Sequence, residues 1–197
     1  MKLIFATNNP HKVEEIRHAI KASFELLTLE DAGIRIEIPE PHDTLEANAS
    51  EKSWTIYKLT RINCFSEDTG LEVDALGGEP GVKSARYAGE GKSFEKNIDK
   101  LLQKLENEPN DAARFRTVIS LIIDGKETSF EGICEGRIIN KRRGIHGFGY
   151  DPVFIPNGSE KTFGEMELAE KDLYSHRAKA TQKLVAFLNS LEPNSQN

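Results

Sequence analysis

Apolar residues recur along this chain at two spacings, and the switches between them predict its strands and helices. Residues 2–7 are mostly apolar, as in a short buried strand, and they are followed by apolar residues at helical spacing: Val13, Ile16, Ile20 and Phe24. Between the two patterns, Asn9 is a favourable N-cap and Pro10 occupies the favoured first helical position. The N-terminus is therefore predicted to be a strand that passes directly into a helix.

The rest of the chain alternates between the same two patterns. Ser93 is a favourable cap for the clearest helix, whose apolar stripe is Phe94, Ile98, Leu101, Leu102 and Leu105. Asp124-Gly125 is a strong turn signal and predicts a β-hairpin of residues 115–123 and 128–134. Other strands are expected at residues 24–29, 62–65 and 71–76, and other helices after the capping box of residues 43–46 and at residues 175–191. This mixture predicts an α/β fold.

Length, charge and cysteine content limit the possible functions. The 197 residues suit one domain, and residues 193–197 are expected to form a disordered tail. The net charge of −6 argues against a protein that coats nucleic acid. Cys64 and Cys134 lack zinc or redox spacing, and there is neither a secretory signal nor a long apolar span. The sequence therefore predicts a cytoplasmic protein with buried thiols and no membrane partner.

Glu67 and Asp68 place two carboxylates side by side, in the stretch Ser66-Glu67-Asp68-Thr69-Gly70, where a buried strand is expected to end. Magnesium is usually held by one or two carboxylates together with substrate phosphates, and a carboxylate beside the ion can activate water. A solvated surface turn would have the same residues. Glu40, between two prolines, is a further candidate ligand, although exposed acidic loops are more common than metal-binding ones.

The junction of the first strand and the first helix is a candidate phosphate site. It consists of Thr7, Asn8, Asn9, Pro10, His11 and Lys12. Free backbone N–H groups and the positive end of a helix dipole attract phosphate. Thr7 and Asn9 add hydrogen-bonding groups, and Lys12 adds a positive charge one turn into the helix. A plain capped helix start with a solvated lysine is the alternative.

Two later clusters have features of a base-binding site. The first consists of Phe148, Gly149, Tyr150 and Asp151, and the second of Lys171, His176 and Arg177. Glycines allow close approach of a ligand, Phe148 could stack on a flat ring, and Asp151 would then point at the ring edge. Lys171 suits a phosphate, while His176 and Arg177 could donate hydrogen bonds to a carbonyl. A structural hairpin and a helix cap with exposed charges are the alternatives.

Several familiar motifs are absent from the sequence. Gly91-Lys92-Ser93 looks like the end of a P-loop, but the pattern requires glycine at position 86, which is Arg86. The sequence also contains no HExxH, G-x-S-x-G or GxGxxG motif. The chain is therefore not expected to be a P-loop NTPase, a zinc protease or a dinucleotide-binding enzyme.

Four stretches, taken together, resemble the inosine triphosphate pyrophosphatase family. They are "FATNNPHK", "SEDTGLEVDALGGEPGVKSARYAG", "HGFGYDPVFIP" and "EKTFGEMELAEKDLYSHRAKA", in the family's order from residue 5 to about residue 180. The resemblance implies magnesium-dependent hydrolysis of inosine, deoxyinosine and xanthosine triphosphates to the monophosphate and pyrophosphate. It also implies one domain over residues 1–192 with two lobes, an elongated fold with a long, mixed, mostly antiparallel sheet flanked by helices, an active-site cleft between the lobes, and a homodimer.

The family's motifs also assign roles to individual residues. Asp68 corresponds to the catalytic acid and a metal ligand, and Glu40, in competition with Glu46, corresponds to the second metal ligand. The resemblance assigns substrate phosphates to Thr7, Asn9, Lys12, Lys52 and Lys171, and the base to Phe148, Gly149, Tyr150, Asp151, His176 and Arg177. It also counts Asn8, Pro10, His11 and Thr69 among the substrate-binding residues. Pro10-His11 stands where the family often has a small residue and glycine. The role of Arg86 is open between substrate contact and loop anchor.

Two other functions remain open at this point. A related pyrophosphatase for modified pyrimidine or methylated nucleotides uses a similar scaffold, but it carries serine and arginine residues where this chain has "TNNPHK". A non-catalytic nucleotide-binding module is the second alternative, although such a module would not need Asp68 beside Lys12 and Lys52. A panel of substrates separates these possibilities.

Overall fold

The computed structural model describes residues 1–20 and 24–191, which form seven strands and five α-helices. The first six are β1 (Lys2–Phe5), α1 (Pro10–Ile20), β2 (Glu25–Leu27), α2 (Leu45–Thr60), β3 (Cys64–Val73) and β4 (Pro80–Gly81). The others are α3 (Phe94–Leu105), β5 (Ala112–Ile123), β6 (Lys126–Ile138), β7 (Phe154–Pro156), α4 (Leu168–Lys171) and α5 (His176–Leu191). The predicted tail, residues 193–197, lies outside the described residues.

The chain divides into two compact units. The first consists of Met1–Asp68, Val118–Gly132 and Arg177–Asn197, and the second of Thr69–Thr117 and Ile133–His176. The chain passes from one unit to the other inside β3, β5 and β6, so each of these strands contributes residues to both. The single two-lobed domain over residues 1–192 and the cleft between its lobes stay predictions.

The strands form one seven-stranded sheet with the order β2-β1-β3-β5-β6-β7, in which β4 pairs with β3. β1 is parallel to both β2 and β3, whereas β4 is antiparallel to β3 and β7 is antiparallel to β6. A sheet with both kinds of pairing and with helices between its strands confirms the predicted mixed α/β fold.

The predicted hairpin is confirmed and is longer than its sequence pattern indicated. β5 and β6 are joined by Asp124 and Gly125, whose φ angles of 50° and 78° are both positive. Two positive φ angles are characteristic of the type I′ turn, which matches the twist of the strands that it joins. The turn therefore fixes the register of the two longest strands.

In the first unit, apolar side chains of β1, α1, β3, β5 and α5 form one core. Phe5 and Phe65, on the parallel neighbours β1 and β3, stack with their ring centres 4.6 Å apart. Leu184 and Leu188 of α5 pack into the same cluster. This core fixes β3, the strand that carries Glu67 and Asp68.

The second unit has its own core, to which α3 contributes. Ile98 and Leu101 are buried, and Leu102 and Leu105 are partly buried against the same cluster. Phe94, at the start of the predicted stripe, is 40% exposed, and its ring lies 6.0 Å from the ring of Phe148. The helical stripe thus continues from the core to one of the predicted base-binding residues.

One prediction about the paired carboxylates was wrong. The sequence indicated two strands separated by a junction at residues 66–70, but β3 is one continuous strand of ten residues through that stretch. The polar residues did not end the strand because Ser66, Glu67 and Asp68 are buried and have partners there, so their polarity is satisfied within the sheet. Ser66, for example, donates a hydrogen bond to the carbonyl of Ala49.

The described residues also bear on two compositional expectations. Cys64 and Cys134 are both buried free thiols, and burial raises the pKa of Cys64 to about 12. Among the described residues, none of the helices is both long and apolar enough to cross a membrane. The cysteines therefore behave as predicted, as small apolar core residues.

Candidate active site

β3 carries Glu67 and Asp68 in succession, and successive side chains of a strand point to opposite faces. Glu67 accordingly contacts Lys12 and Arg177, whereas Asp68 contacts Lys52. Both carboxylates are buried. The pair that looked like one acidic site in the sequence therefore belongs to two different clusters.

Asp68 lies in a cluster with Glu40 and Lys52, called here the Asp68 cluster. Lys52 Nζ is 2.8 Å from Asp68 Oδ1 and 2.6 Å from Glu40 Oε1. Asn48, one helical turn before Lys52 on α2, donates to Asp68 Oδ2 at 3.4 Å. The amide of Asn48 also bonds the backbone N–H and C=O of His42, at 2.9 and 3.0 Å. Asn48 thereby links the segment after Glu40 to the carboxylate of Asp68.

Two carboxylates share one lysine in this cluster, and the pKa of Asp68 responds to its burial and to these charged neighbours. Burial raises the pKa of Asp68 above its ordinary value, and the charge of Lys52 offsets that effect only in part. Burial would lower the pKa of Lys52, but Asp68 and Glu40 outweigh it and raise that pKa. Lys52 therefore keeps its proton, while Asp68 accepts one more readily than an ordinary aspartate, as a general base requires.

The donors of the Asp68 cluster fit a magnesium ion. Carboxylate oxygens of Asp68 and Glu40 converge on one point, the position of Lys52 Nζ, and hard oxygen donors are what Mg²⁺ prefers. The described residues contain no group of three or more His, Cys, Asp or Glu side chains that could hold a metal by itself. Two carboxylates plus substrate phosphates are the usual magnesium arrangement. Glu46 is exposed, so the geometry favours Glu40 as the second ligand.

The loop between β1 and α1 is a capped helix start. Asn9 Oδ1 accepts from the His11 N–H at 3.0 Å, and Thr7 Oγ1 accepts from the Asn9 N–H at 3.2 Å. Asn8 donates from its amide to the carbonyl of Ile36 at 3.0 Å. The exposed side chains of the loop are Asn8, Pro10 and His11. A surface pocket of about 450 Å³ borders this loop. The cap is confirmed, and phosphate binding stays a prediction.

Glu67 is the centre of a buried charge network. Lys12 Nζ is 2.7 Å from Glu67 Oε1. Arg177, in the first turn of α5, donates to the two Glu67 oxygens from Nε at 2.9 Å and from Nη2 at 3.3 Å, and it also bonds Glu15. Two carboxylates and two cations thus balance one another, and the predicted phosphate lysine Lys12 is held by a carboxylate.

The network holds Glu67 and Arg177 in their charged forms. Burial would raise the pKa of Glu67, but the charges of Arg177 and Lys12 hold it well below the usual range. Glu67 and Glu15 likewise raise the pKa of Arg177 against the effect of burial. The guanidinium of Arg177 is therefore bound by carboxylates of its own unit, and its predicted hydrogen bond to the base stays a prediction.

In the second unit, Asp151 contacts Gly147, Phe148 and Lys171, and these four residues are called here the Asp151 cluster. Lys171 Nζ donates to Asp151 Oδ2 at 2.6 Å, and the N–H of Phe148 donates to the same oxygen at 2.9 Å. The ammonium of Lys171 also lies 5.4 Å from the centre of the Phe148 ring. Gly147 has a φ of 72°, and a Cβ there would collide with the Asp151 carboxylate. Lys171 thus lies beside the predicted base-stacking ring, and its phosphate contact stays a prediction.

The remaining predicted substrate residues have structural partners in the second unit. Tyr150 is buried, which raises the pKa of its hydroxyl, and it donates to the carbonyl of Ser84 at 2.9 Å. Its neighbour Gly149 has a positive φ of 63°. The ring of His176 stacks on Phe115, with the ring centres 4.7 Å apart. These contacts orient the ring of His176 and fix the chain on either side of the Asp151 cluster.

Thr69 follows Asp68 directly and begins the second unit. Its hydroxyl is 2.5 Å from the hydroxyl of Thr117 on β5. At this distance one of the two hydroxyls donates a hydrogen bond to the other, which orients the hydroxyl of Thr69. The predicted substrate contact of Thr69 stays a prediction.

Sequence reasoning missed Glu15 and Asn48 as members of these clusters. A weak signal existed for each, because residues three or four apart lie on the same face of a helix. Glu15 follows Lys12 by three residues on α1, and Asn48 precedes Lys52 by four on α2. Polar residues on the same helix face as a predicted phosphate-binding lysine are therefore candidates for its immediate surroundings.

Comparison with known proteins identifies the family of this chain. The Ham1 family model matches residues 3–187. A dITP/XTP pyrophosphatase of Porphyromonas gingivalis is 50% identical, over 95% of this chain and 97% of its own. A protein of the same name from Christiangramia forsetii is 48% identical, over 96% of this chain and 100% of its own.

A solved structure has the same fold. The Staphylococcus aureus Ham1 protein superimposes with a TM-score of 0.88 at 37% identity, over 98% of this chain and 100% of that chain. The family match includes the segments that carry the Asp68 cluster, the Glu67 network and the Asp151 cluster. Because sequence and fold agree over nearly the whole length, this chain belongs to the Ham1 family.

Proposed function

We propose that this protein hydrolyses non-standard purine nucleoside triphosphates, those of inosine, deoxyinosine and xanthosine, to the monophosphate and pyrophosphate. Relatives that match over nearly their full length carry the name dITP/XTP pyrophosphatase. The structural observation that carries the proposal is the Asp68 cluster, in which a buried carboxylate, a second carboxylate and a lysine meet. This composition suits magnesium-assisted cleavage of a phosphoanhydride.

In the proposed reaction, Asp68 accepts a proton from the water that attacks the α-phosphorus. The bond between that phosphorus and the oxygen bridging to the β-phosphate breaks, and pyrophosphate leaves with the bridging oxygen. Asp68 and Glu40 would hold Mg²⁺, which when bound neutralises phosphate charge and favours ionisation of water. Lys12 and Lys52 would neutralise further phosphate charge.

The Asp151 cluster is the proposed recognition site for the base. Phe148 is only partly buried and offers a flat ring for stacking, beside the ammonium of Lys171. A donor directed at the 6-oxo group of hypoxanthine or xanthine would face the amino group of adenine and remain unsatisfied. Discrimination by such a hydrogen bond can reach roughly 10⁴-fold.

The first test is pyrophosphate release from inosine, xanthosine, guanosine, adenosine and thymidine triphosphates, with and without Mg²⁺. We expect release from the first two only, dependent on Mg²⁺. Asp68→Asn should lower kcat by about 10²–10⁴-fold, because the variant cannot take the proton. Asp99→Asn is the matched control, since this exposed aspartate of α3 pairs with Arg142 in the second unit and should retain full activity.

The outcomes separate the alternatives. Equal turnover of all five triphosphates would contradict the assigned base site, and release from thymidine triphosphate alone would favour the pyrimidine-directed relative. If wild type binds inosine triphosphate without releasing pyrophosphate, and Asp68→Asn binds it equally well, the protein is a nucleotide-binding module. We also expect a homodimer, which a sedimentation experiment tests against the chain mass of 22.1 kDa.

A further inference from the structure

The Asp68 cluster contains a cation of its own. The ammonium of Lys52 lies 2.8 Å from Asp68 and 2.6 Å from Glu40, and the side chain of Lys52 is only 7% exposed. These are the two carboxylates that the proposed function assigns to the metal ion. Both contacts have the length of charge-assisted hydrogen bonds, so Lys52 is a full partner of each carboxylate and not a distant neighbour.

A cation at this point has a clear physical reason. The buried carboxylate of Asp68 and the half-buried one of Glu40 would repel each other without a cation, and Asp68 would have lost most of its hydration. One ammonium removes half of that negative charge and leaves the cluster with a net charge of −1. A divalent ion held by both carboxylates would lie close to the ammonium of Lys52. Two positive charges at such short range repel each other strongly.

We propose that Lys52 is an intramolecular stand-in for the metal ion: it neutralises Asp68 and Glu40 while the site holds no metal, and it is displaced toward substrate phosphate when metal and nucleotide bind. This inference rests on the proposed function, because it takes Asp68 and Glu40 as the metal ligands. It adds that the lysine and the metal compete for the same carboxylates. Metal binding without nucleotide is therefore weakened by the protein itself.

Such an exchange links metal binding to substrate binding. The displaced ammonium needs a new anionic partner, and a triphosphate provides one. Lys52 is on α2, whose position is fixed in the cluster by Asn48, so only the flexible four-carbon stem of the lysine has to move. The carboxylates then stay in place while their cation is replaced.

The test is the affinity for Mn²⁺ without nucleotide, measured by electron paramagnetic resonance on wild type and on Lys52→Met. Methionine keeps the length and apolar character of the stem but removes the charge. We expect the variant to bind Mn²⁺ at least about tenfold more tightly, because a positive charge within 4 Å of the site is gone. Lys58→Met, an exposed lysine on the same helix, is the matched control and should bind like wild type.

A second measurement guards against a variant that folds poorly. Ligands that bind the folded state raise the melting temperature, so Mn²⁺ should stabilise Lys52→Met more than it stabilises wild type. The inference would be overturned if Lys52→Met bound Mn²⁺ as tightly as wild type or more weakly, or if neither protein bound Mn²⁺. The proposed function fails on a separate result, namely the absence of Mg²⁺-dependent pyrophosphate release by wild type.

Discussion

At the scale of single residues, adjacent side chains of β3 have different tasks because the strand turns them to opposite faces. Asp68 shares Lys52 with a second carboxylate, and its pKa is raised by burial. Glu67 has two cationic partners, Lys12 and Arg177, and its pKa is lowered by them in spite of burial. The first arrangement produces a proton acceptor, and the second produces a permanent anion that supports the position of Lys12.

The substitution Glu67→Gln tests this permanent anion. It leaves two cations with one carboxylate fewer, and breaking a buried ion pair typically costs about 3–5 kcal/mol. Urea unfolding at neutral pH should show a loss of this size. Glu25→Gln, at the exposed pair with Lys2, is the control and should change little, because exposed pairs contribute little. A similar small loss in both variants would contradict the network.

Wild type and Glu67→Gln should also differ in how their unfolding free energy depends on pH. Because the pKa of Glu67 is lowered on folding, its stabilisation is fully present above the unfolded pKa of about 4.3 and is lost as pH falls through the folded pKa. The difference in unfolding free energy between wild type and Glu67→Gln should therefore narrow below about pH 4. A difference that stays constant or widens on acidification would show that the carboxylate is not held ionised.

At the scale of elements, short spacings within a helix place the charged residues, and turns place the strands. Lys12 and Glu15 lie on one face of α1, and Asn48 and Lys52 lie on one face of α2. β5 and β6 depend on the type I′ turn at Asp124-Gly125. These features follow from local geometry, which is why the sequence predicted where the helices start and where the hairpin turns, although both strands extend beyond the predicted residues.

Gly125→Ala tests the turn. The glycine has a φ of 78°. A Cβ added there would lie 3.5 Å from the hydroxyl oxygen of Tyr57, which is an ordinary van der Waals contact. The cost is therefore backbone strain, about 1–2 kcal/mol, and thermal unfolding should show it without loss of kcat. Gly91→Ala is the control, because that glycine has no positive φ and open space around its Cα. Equal stability of the two variants would contradict the strained turn.

At the scale of the whole molecule, the predicted site residues fall into two groups according to unit. The Asp68 cluster and the Glu67 network belong to the first unit, and the Asp151 cluster belongs to the second. The chain first passes from the first unit to the second between Asp68 and Thr69, and it returns for the last time between His176 and Arg177. The proposed catalytic and metal-binding residues accordingly lie in the first unit, and Phe148 and Asp151 lie in the second. Arg177, predicted to contact the base, is nevertheless in the first unit, and Lys171, predicted to contact phosphate, is in the second.

Variants of the Asp151 cluster and of the phosphate-binding lysines should therefore differ in their effect on substrate preference. Asp151→Asn weakens the anchor of Lys171 and Phe148 and should reduce the preference for inosine over adenosine triphosphate, measured as a ratio of kcat/KM, by roughly tenfold or more. Lys12→Met should lower kcat/KM for both triphosphates by the same factor, because each carries the same phosphates. A uniform loss in Asp151→Asn, with the ratio unchanged, would place base recognition elsewhere.

The sequence by itself determined the helices, the hairpin, the buried thiols and the stretches that carry the family's motifs, because these depend on local periodicity and turn chemistry. Only the tertiary structure decided the partners of the charged residues. Glu67 and Arg177 are 110 positions apart and Glu15 and Arg177 are 162 apart, so no local pattern could join them. For the same reason the sequence could not show that β3 continues through its carboxylates, since the cations that satisfy them come from α1, α2 and α5.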